Sequence, residues 1–296
     1  MKKIILWGMG NAFRQHIFIV KYQEMNKQIE VVGVTSDNDT YSEYYGYKYI
    51  PKKKIKEIDY DYIVVMTEEN AHKQILIEAQ SLGIDRDNIF NYRVFELYGF
   101  DMERYLELKK NPPSIFSNNC WGGFTYHSLD MRFTSPLINM FEKAEDYLKL
   151  LQKPEEYMEY ELEFESINYD KITDINYPIV KCGDIQLHFN HYKSFEEAKL
   201  SWEKRKRRIN WDNMFVMFYT SNRERLEQFL TLPYKKKICF VPFESKEDCV
   251  IHIDRKNYEG KKFEERVVFA GDRRYQYYDV FDLLLEGKFT PIGKKT

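Results

Sequence analysis

The sequence has no excess of charge of either sign and no long apolar run. Its 45 Lys and Arg residues face 47 Asp and Glu residues, which leaves a formal net charge of -2. This balance creates no field that would gather a phosphate backbone, so we expect no nucleic-acid partner. No stretch reaches the roughly 18 apolar residues that cross a bilayer, and the opening MKKIILWGMG is too short for a signal peptide. We therefore expect a cytoplasmic protein without a membrane span.

Cysteine is scarce, and its spacing is typical of neither zinc sites nor disulfide frameworks. The four cysteines are Cys120, Cys182, Cys239 and Cys249. None belongs to a CxxC motif, and such scattered thiols fit a reducing compartment. His188 and His191 have an HxxH spacing at the end of a strand, but no carboxylate completes a ligand set. We predict no metal site.

The apolar content is sufficient for two domains. The chain has 296 residues, of which 43% are hydrophobic. Residues 1–98 predict a small Rossmann-like parallel sheet, because buried strand patterns such as KKIILW and YIVV alternate with helical periodicity. Residues 99–111 predict a linking helix that cannot continue through Pro112-Pro113. Residues 112–296 alternate strands and helices again, so both domains are predicted to be α/β, the second with a mixed sheet.

The first predicted strand ends in a glycine turn. Gly8, Gly10 and Asn11 lie between strand and helix, where a pyrophosphate can rest on amides at the positive helix end. Asp37 follows the second strand, near the position of a ribose-binding acid. Phe13 stands where the GxGxxG fingerprint requires a small residue, which argues against a regular NAD site. A cofactor or nucleotide-sugar site and a tight turn that binds nothing are both consistent with this pattern.

A second turn, SNNCWGG, gathers candidate catalytic groups at residues 117–123. Cys120 follows a predicted strand by three residues, which places it at the carboxyl edge of the sheet, where ligands gather. A helix that begins just after it would favour the thiolate. Asn118 and Asn119 are candidate oxyanion donors, and His127 and His191 are candidate bases.

The same turn also offers candidate substrate contacts. Trp121 supplies a ring, and Gly122 and Gly123 allow a close approach of substrate to the backbone. The alternative interpretation is structural: a small buried thiol, an indole in the core and an Asn pair that caps its own backbone.

A capped helix in the second domain carries an arginine on its apolar side. Ser194 and Glu197 form the capping-box pattern at its start. Its apolar stripe consists of Phe195, Ala198, Trp202 and Ile209. Arg205 falls inside that stripe and needs an anionic partner there, either a ligand phosphate or carboxylate or an internal Asp or Glu. Residues 272–274, DRR, form another strand-to-helix turn, which ligand binding and plain capping explain equally well.

Four motifs of the first hundred residues point to a known type of domain. They are IILWGMGN, VVGVTSDND, the Gly46 turn before YIP, and YDYIVVMT. Together they resemble the small N-terminal Rossmann-like domain of bacterial surface-sugar enzymes, notably nucleotide-sugar N-acyltransferases. The resemblance implies that this domain contacts a nucleotide-sugar.

Residues 112–287 contain several further motifs in a fixed order. They are SIFSNNCWGGFTYHSLDMRFTSPLINMF, DYLKLL, YPIVKCGDIQLHFNHYKSFEEAKLSWEKRKRRINWDNMFVMF and FAGDRRYQYYDVFDLL. They resemble a bacterial family of unknown function labelled exopolysaccharide biosynthesis protein, which implies a role in making capsule or extracellular polysaccharide. The Asn119-Cys120 pair is similar to the GNC turn of a capsule-biosynthesis acyltransferase-like family, in which a Cys and a His are proposed as catalytic.

These expectations combine into one leading hypothesis and two alternatives. The leading hypothesis is an enzyme of surface polysaccharide synthesis, peripheral to an assembly complex, that transfers an acyl group from acetyl-CoA to a sugar or nucleotide-sugar. Cys120 would be the nucleophile, His127 or His191 the base, and Arg205 the anchor for an anionic group. The first alternative is a non-catalytic nucleotide-sugar-binding or scaffold protein of the same machinery. The second is an NAD-dependent oxidoreductase.

Overall fold

The computed structural model describes residues 1–37, 41–171, 174–253, 265, 267 and 278–292. It divides into two compact units, Met1–Lys109 and Lys110–Thr296. Each unit is built on a parallel sheet, so the α/β class predicted for both is confirmed. None of the helices in these described ranges is long and apolar enough to cross a membrane. The predicted turn at residues 272–274 lies outside the described residues.

The first unit has a four-stranded parallel sheet in the order β2-β1-β5-β6. Its elements are β1 Lys2–Trp7, α1 Asn11–Met25, β2 Ile29–Thr35, a hairpin of β3 Glu43–Tyr44 and β4 Tyr47–Lys48, β5 Tyr62–Val65, α2 Glu69–Ser81, β6 Ile89–Asn91 and α3 Met102–Lys110. Ile4, Ile5 and Leu6 of β1 are completely buried in succession. An unbroken apolar run of this kind is expected for a parallel strand covered on both faces.

The second unit has two separate sheets where the sequence predicted one mixed sheet. A parallel sheet has the order β13-β12-β11-β7, and an antiparallel sheet has the order β10-β9-β8. The elements are β7 Ser114–Ser117, α4 Trp121–Ser128, α5 Ala144–Gln152, α6 Pro154–Glu159, β8 Leu162–Asp170, β9 Ile175–Cys182, β10 Ile185–His188, α7 Phe195–Lys206, β11 Met214–Tyr219, α8 Arg223–Leu230, β12 Lys237–Val241 and β13 Val250–His252. A π-helical turn at Asp282–Glu286 follows.

The antiparallel sheet is inserted between two neighbouring strands of the parallel sheet. β7 and β11 pair in parallel, although β8, β9 and β10 all come between them in the chain. Because both strands run in the same direction, the residues after β7 and after β11 meet at one edge of the sheet. The cap predicted for α7 is formed, since Ser194 Oγ accepts a hydrogen bond from Glu197 N at 3.2 Å. The inserted sheet also leads directly into His191 and α7.

Candidate functional site

The turn after β7 is held by its own side chains. Ser117 Oγ accepts a hydrogen bond from Gly122 N at 3.0 Å and donates one to Asn119 O at 2.8 Å. Asn119 Oδ1 accepts from Trp121 N at 2.9 Å. These bonds satisfy amides that a new helix leaves without partners, which is why α4 begins at Trp121. The backbone amides of Trp121 and Gly122 are therefore engaged within the turn.

Asn118 joins the ends of β7 and β11. Its Nδ2 donates to Tyr219 O at 3.2 Å, and its Oδ1 accepts from Tyr219 N at 3.0 Å. The side chain is 7% exposed. This double contact fixes the sheet edge and leaves one N–H of the amide for any other partner. The oxyanion role predicted for Asn118 is therefore restricted to that single hydrogen, whereas Asn119 keeps its whole NH₂ group.

Trp121 and Gly122 have packing roles that account for their places in the motif. The Trp121 side chain is 0% exposed, and its Nε1 donates to Tyr278 OH at 3.0 Å. A fully buried indole cannot present a face to a ligand, which corrects the predicted substrate contact. A Cβ at Gly122 would lie 2.8 Å from Ser117 Oγ, so α4 packs against β7 only with glycine there. Gly123 is less confined, since its Cβ would lie 3.6 Å from Ile138 Cγ2.

The imidazole that contacts the Cys120 thiol belongs to His191. Cys120 Sγ lies 3.5 Å from His191 Nε2. Cys120 is partly buried at the N-cap of α4, and His191 is exposed between β10 and α7. His127 lies on the exposed side of the last turn of α4, about 10 Å further along the helix axis at 1.5 Å per residue. Of the two predicted bases, the structure brings His191 to the thiol.

The environment keeps both members of this pair neutral. Burial, reinforced by the Glu142 carboxyl, raises the pKa of Cys120 to about 11. The protein around the imidazole partly desolvates it and so lowers the pKa of His191, although the residue as a whole is exposed. At neutral pH the thiol is protonated and the imidazole is uncharged, which disfavours a preformed thiolate–imidazolium pair. The predicted lowering of the thiol pKa at the start of α4 is therefore corrected: burial outweighs the helix dipole. The neutral His191 ring can still accept the thiol proton during a reaction.

A cleft opens at the same carboxyl edge of the sheet, and its lining includes Asn118 and Asn119 but neither Cys120 nor His191. It has a volume of about 680 Å³, which is large enough for a sugar-sized ligand. Its lining comes from three segments: Asn118 and Asn119, residues 141–145, and residues 219–222 with Arg225. The N-cap residue of α5, Lys143, makes no side-chain hydrogen bond to the first turn. The cleft thus combines aromatic residues with amide, hydroxyl and charged residues, a mixture suited to a polyhydroxylated ligand.

Arg205 has partners, but none of them is a carboxylate within the part of the chain that the structure describes. Its Nη1 donates to Ile138 O at 3.1 Å and to the Tyr192 hydroxyl. Its guanidinium carbon lies 5.2 Å from the ring centroid of Phe133 and 5.9 Å from that of Tyr192. The predicted internal Asp or Glu is replaced by a carbonyl, a phenol and two ring faces. Nε and Nη2 remain for the anionic ligand that the sequence also allowed.

The first unit has a pocket of about 380 Å³ at its glycine turn, and Gly8, Gly10 and Asp37 are among the residues that line it. Gly8 has φ of +114°, and a Cβ there would lie 2.7 Å from Thr67 Cγ2, so only glycine fits. Asp37 forms an ion pair with Lys52.

Two other residues of that turn are engaged within the protein. Asn11 accepts a hydrogen bond from Arg14 through Oδ1. Phe13 is completely buried and packs against Tyr44, with ring centroids 5.1 Å apart. The bulky residue in the fingerprint is thus part of the core. Gly10 is the more open of the two predicted glycine contacts, because a Cβ there would meet none of the described atoms within 4 Å.

No group of three or more His, Cys, Asp or Glu side chains that could hold a metal ion occurs among the residues described here. His188 and His191, the HxxH pair, have different surroundings. His188 is buried and stacks on Phe141 with ring centroids 4.6 Å apart, whereas His191 is exposed beside Cys120.

Comparison with known proteins assigns the second unit to a family. Residues 91–285, more than half of the chain, match the model described as a domain of unknown function, DUF1919. The chain belongs to the DUF1919 family. Residues 1–90 match a second model, described as the C2185-like N-terminal domain. An uncharacterised protein of Haemophilus influenzae is 31% identical over 176 residues, which cover 57% of this chain and 81% of that protein.

The DUF1919 domain contains one site residue that sequence reasoning missed. Glu142 is 3% exposed, and among the described residues neither of its carboxylate oxygens has a hydrogen-bond partner. Its backbone N donates to Asn118 O at 3.4 Å, which ties it to the turn that carries Cys120. Burial, and secondly the nearby Asp146, raises the pKa of Glu142 well above the usual carboxyl range. The sequence around it, NMFEKAED, has the acids of an ordinary helix start and gives no sign of burial.

Proposed function

We propose that this DUF1919 protein is an acyl-transfer enzyme acting on a sugar or nucleotide-sugar in bacterial surface polysaccharide synthesis. One observation carries the proposal: Cys120 Sγ lies 3.5 Å from His191 Nε2 at the carboxyl edge of a parallel sheet. A nucleophile within reach of a base at this edge is the minimum arrangement for covalent group transfer. The polysaccharide setting rests on the resemblance of the motifs in residues 112–287.

The neutral state of the pair determines the order of proton transfers. With its own proton on Nδ1, His191 accepts the Cys120 proton through Nε2 while Sγ attacks the carbonyl of an acyl thioester such as acetyl-CoA. The leaving thiolate takes up that proton, and the acyl group remains on Cys120. A sugar hydroxyl then gives its proton to His191 and attacks the acyl group. Cys120 leaves as thiolate and recovers the proton.

The cleft supports a sugar as the acceptor. Its volume of about 680 Å³ and its amide and hydroxyl residues suit a polyhydroxylated ligand, and one of its lining residues, Asn119, directly precedes Cys120 in the chain. The Nδ2 group of Asn119, whose Oδ1 is already bound to Trp121 N, is available to donate to the developing oxyanion. Removal of one such donor typically costs about 100-fold or more in turnover.

The test is acyl transfer from a thioester to a panel of nucleotide-sugars, followed by mass spectrometry of the product. We expect Cys120→Ser and His191→Gln to abolish transfer, and Asn119→Ala to lower it by about 100-fold. His127→Gln is the matched control, because His127 is exposed and lies about 10 Å beyond Cys120 along the axis of α4. Unchanged transfer in Cys120→Ser would overturn the proposal.

The pocket of the first unit supports a second candidate function, nucleotide-sugar binding without chemistry. Gly8, Gly10 and Asp37 line it at the start of α1, where a pyrophosphate would meet helix amides. A thermal-shift panel of nucleotide-sugars, CoA and NAD separates the alternatives, because a ligand at 100 times its Kd stabilises by about 2.7 kcal/mol. Stabilisation by nucleotide-sugar alone would favour a binding protein. Stabilisation by CoA would favour the transferase, and stabilisation by NAD would favour an oxidoreductase.

A further inference from the structure

Two arginines of the second unit contact Phe133, and a third precedes it in the chain. The Arg205 guanidinium carbon lies 5.2 Å from the Phe133 ring centroid. Arg208, just beyond the end of α7, donates from Nη1 to Phe133 O at 3.2 Å. Arg132 precedes Phe133 in the chain. We call Arg132, Arg205 and Arg208 the arginine cluster.

The cluster concentrates positive charge, and two of its members, Arg205 and Arg208, have no carboxylate partner among the described residues. Arg205 and Arg208 are partly buried, and among the described residues their partners are backbone carbonyls, the Tyr192 hydroxyl and aromatic rings. Burial and the neighbouring Arg132 and Arg205 lower the pKa of Arg208. The repulsion between these cations would be relieved by an anion bound among them.

The cluster contacts segments that neighbour the Cys120–His191 pair. Tyr192, which receives a hydrogen bond from Arg205, is the residue after His191, and its hydroxyl lies 3.0 Å from Ile138 O. Ile138 Cγ2 would lie 3.6 Å from a Cβ at Gly123, within one turn of Cys120 on α4. The cluster is therefore linked through Tyr192 and Ile138 to the two segments that carry His191 and Cys120.

We propose that the arginine cluster binds a phosphate group of the substrate, so that the transferase acts on a phosphate-bearing donor or acceptor. Guanidinium groups match phosphate oxygens with paired N–H donors, and each charge-assisted hydrogen bond is stronger than a neutral one. The assignment of the anion to a substrate rests on the proposed function, whereas phosphate binding by the cluster does not.

The test is isothermal titration of the full-length protein with inorganic pyrophosphate, a nucleoside diphosphate and CoA. We expect binding by wild type that weakens about 10-fold or more in Arg208→Gln and in Arg132→Gln, and that recovers in part in Arg208→Lys. Arg207→Gln is the matched control, because Arg207 is an exposed neighbour of the cluster, and we expect its affinity within about 2-fold of wild type. Arg132 is also exposed, so its variant remains informative if Arg208→Gln fails to fold.

Three results would overturn the inference. They are no binding of any phosphate compound by wild type, equal loss in Arg207→Gln, and binding only to vesicles that contain phosphatidylglycerol. The last result would mean that the arginine cluster binds anionic lipids at a membrane surface and not a phosphate group of a substrate. A short acyl thioester without phosphate separates the two proposals, since acylation of Cys120 by it tests the transferase alone. Acylation of Cys120 without phosphate binding refutes the proposed role of the arginine cluster. Phosphate binding without acylation refutes the proposed transferase activity.

Discussion

Replacement of Glu142 by Gln should make the second unit more stable, and increasingly so as the pH rises. Glu142 is 3% exposed, and its two carboxylate oxygens have no hydrogen-bond partner in the part of the chain that the structure describes. Burial raises its pKa well above the usual range, so the folded protein holds a proton there that the unfolded chain releases. Gln keeps the shape of the side chain and removes the ionisation.

The magnitude follows from proton linkage. An unfolded Glu loses its proton near pH 4.3. Above that pH, and as long as the folded carboxyl stays protonated, the folded state binds one proton more than the unfolded state. The free energy of unfolding then falls by about 1.4 kcal/mol per pH unit. Glu142→Gln should not show this loss, because Gln has no carboxyl to titrate.

Urea unfolding at several pH values, followed by fluorescence of the buried Trp121 and Trp202, measures this difference. We expect the stability gain of Glu142→Gln over wild type to grow by about 1.4 kcal/mol for each pH unit. Glu159→Gln, a change at an exposed position in the same unit, controls for the loss of a charge. A gain that stays constant from pH 5 to pH 7 would refute the argument that Glu142 is buried as the neutral acid.

Three further predictions concern the turn after β7. Gly122→Ala should lower the free energy of unfolding by about 1–3 kcal/mol, because the new Cβ would lie 2.8 Å from Ser117 Oγ. Gly123→Ala should be tolerated, and thermal melts of the two variants measure the difference. Asn118→Ala should cost about 1–3 kcal/mol in urea unfolding, since it removes both hydrogen bonds to the end of β11. Alkylation of Cys120 at pH 7, followed by peptide mass spectrometry, should be about 100-fold slower than for a free cysteine, because its pKa is about 11. A rate that levels off near pH 7 would contradict that value.

The position of Cys120 could be predicted from the sequence because it depends on local signals. The apolar run SIFS indicates a strand, and the polar, glycine-rich SNNCWGG indicates the turn and helix start that follow. In a parallel sheet this order alone places the thiol at the carboxyl edge. The same local logic predicted the glycine turn of the first unit, whose Gly8 requires a positive φ.

The partners of Cys120 depend on long-range packing that local patterns do not contain. His191 is separated from Cys120 by 71 residues and reaches it because the antiparallel sheet is inserted between β7 and β11. Glu142 is adjacent to Phe141, which forms a bridge to His188 of β10 and so draws its segment against the inserted sheet. Trp121 is equally compatible with a core and a ligand site until the packing around it is known.

The most direct test of the central claim is the fate of the Cys120 thiol in the presence of a short acyl thioester. Peptide mass spectrometry after a brief incubation should find the acyl group on Cys120 in wild type and in His127→Gln. It should find none in His191→Gln, because the neutral thiol then has no base at 3.5 Å. Equal acylation of Cys120 in wild type and His191→Gln, or acylation only at other cysteines, would contradict the account.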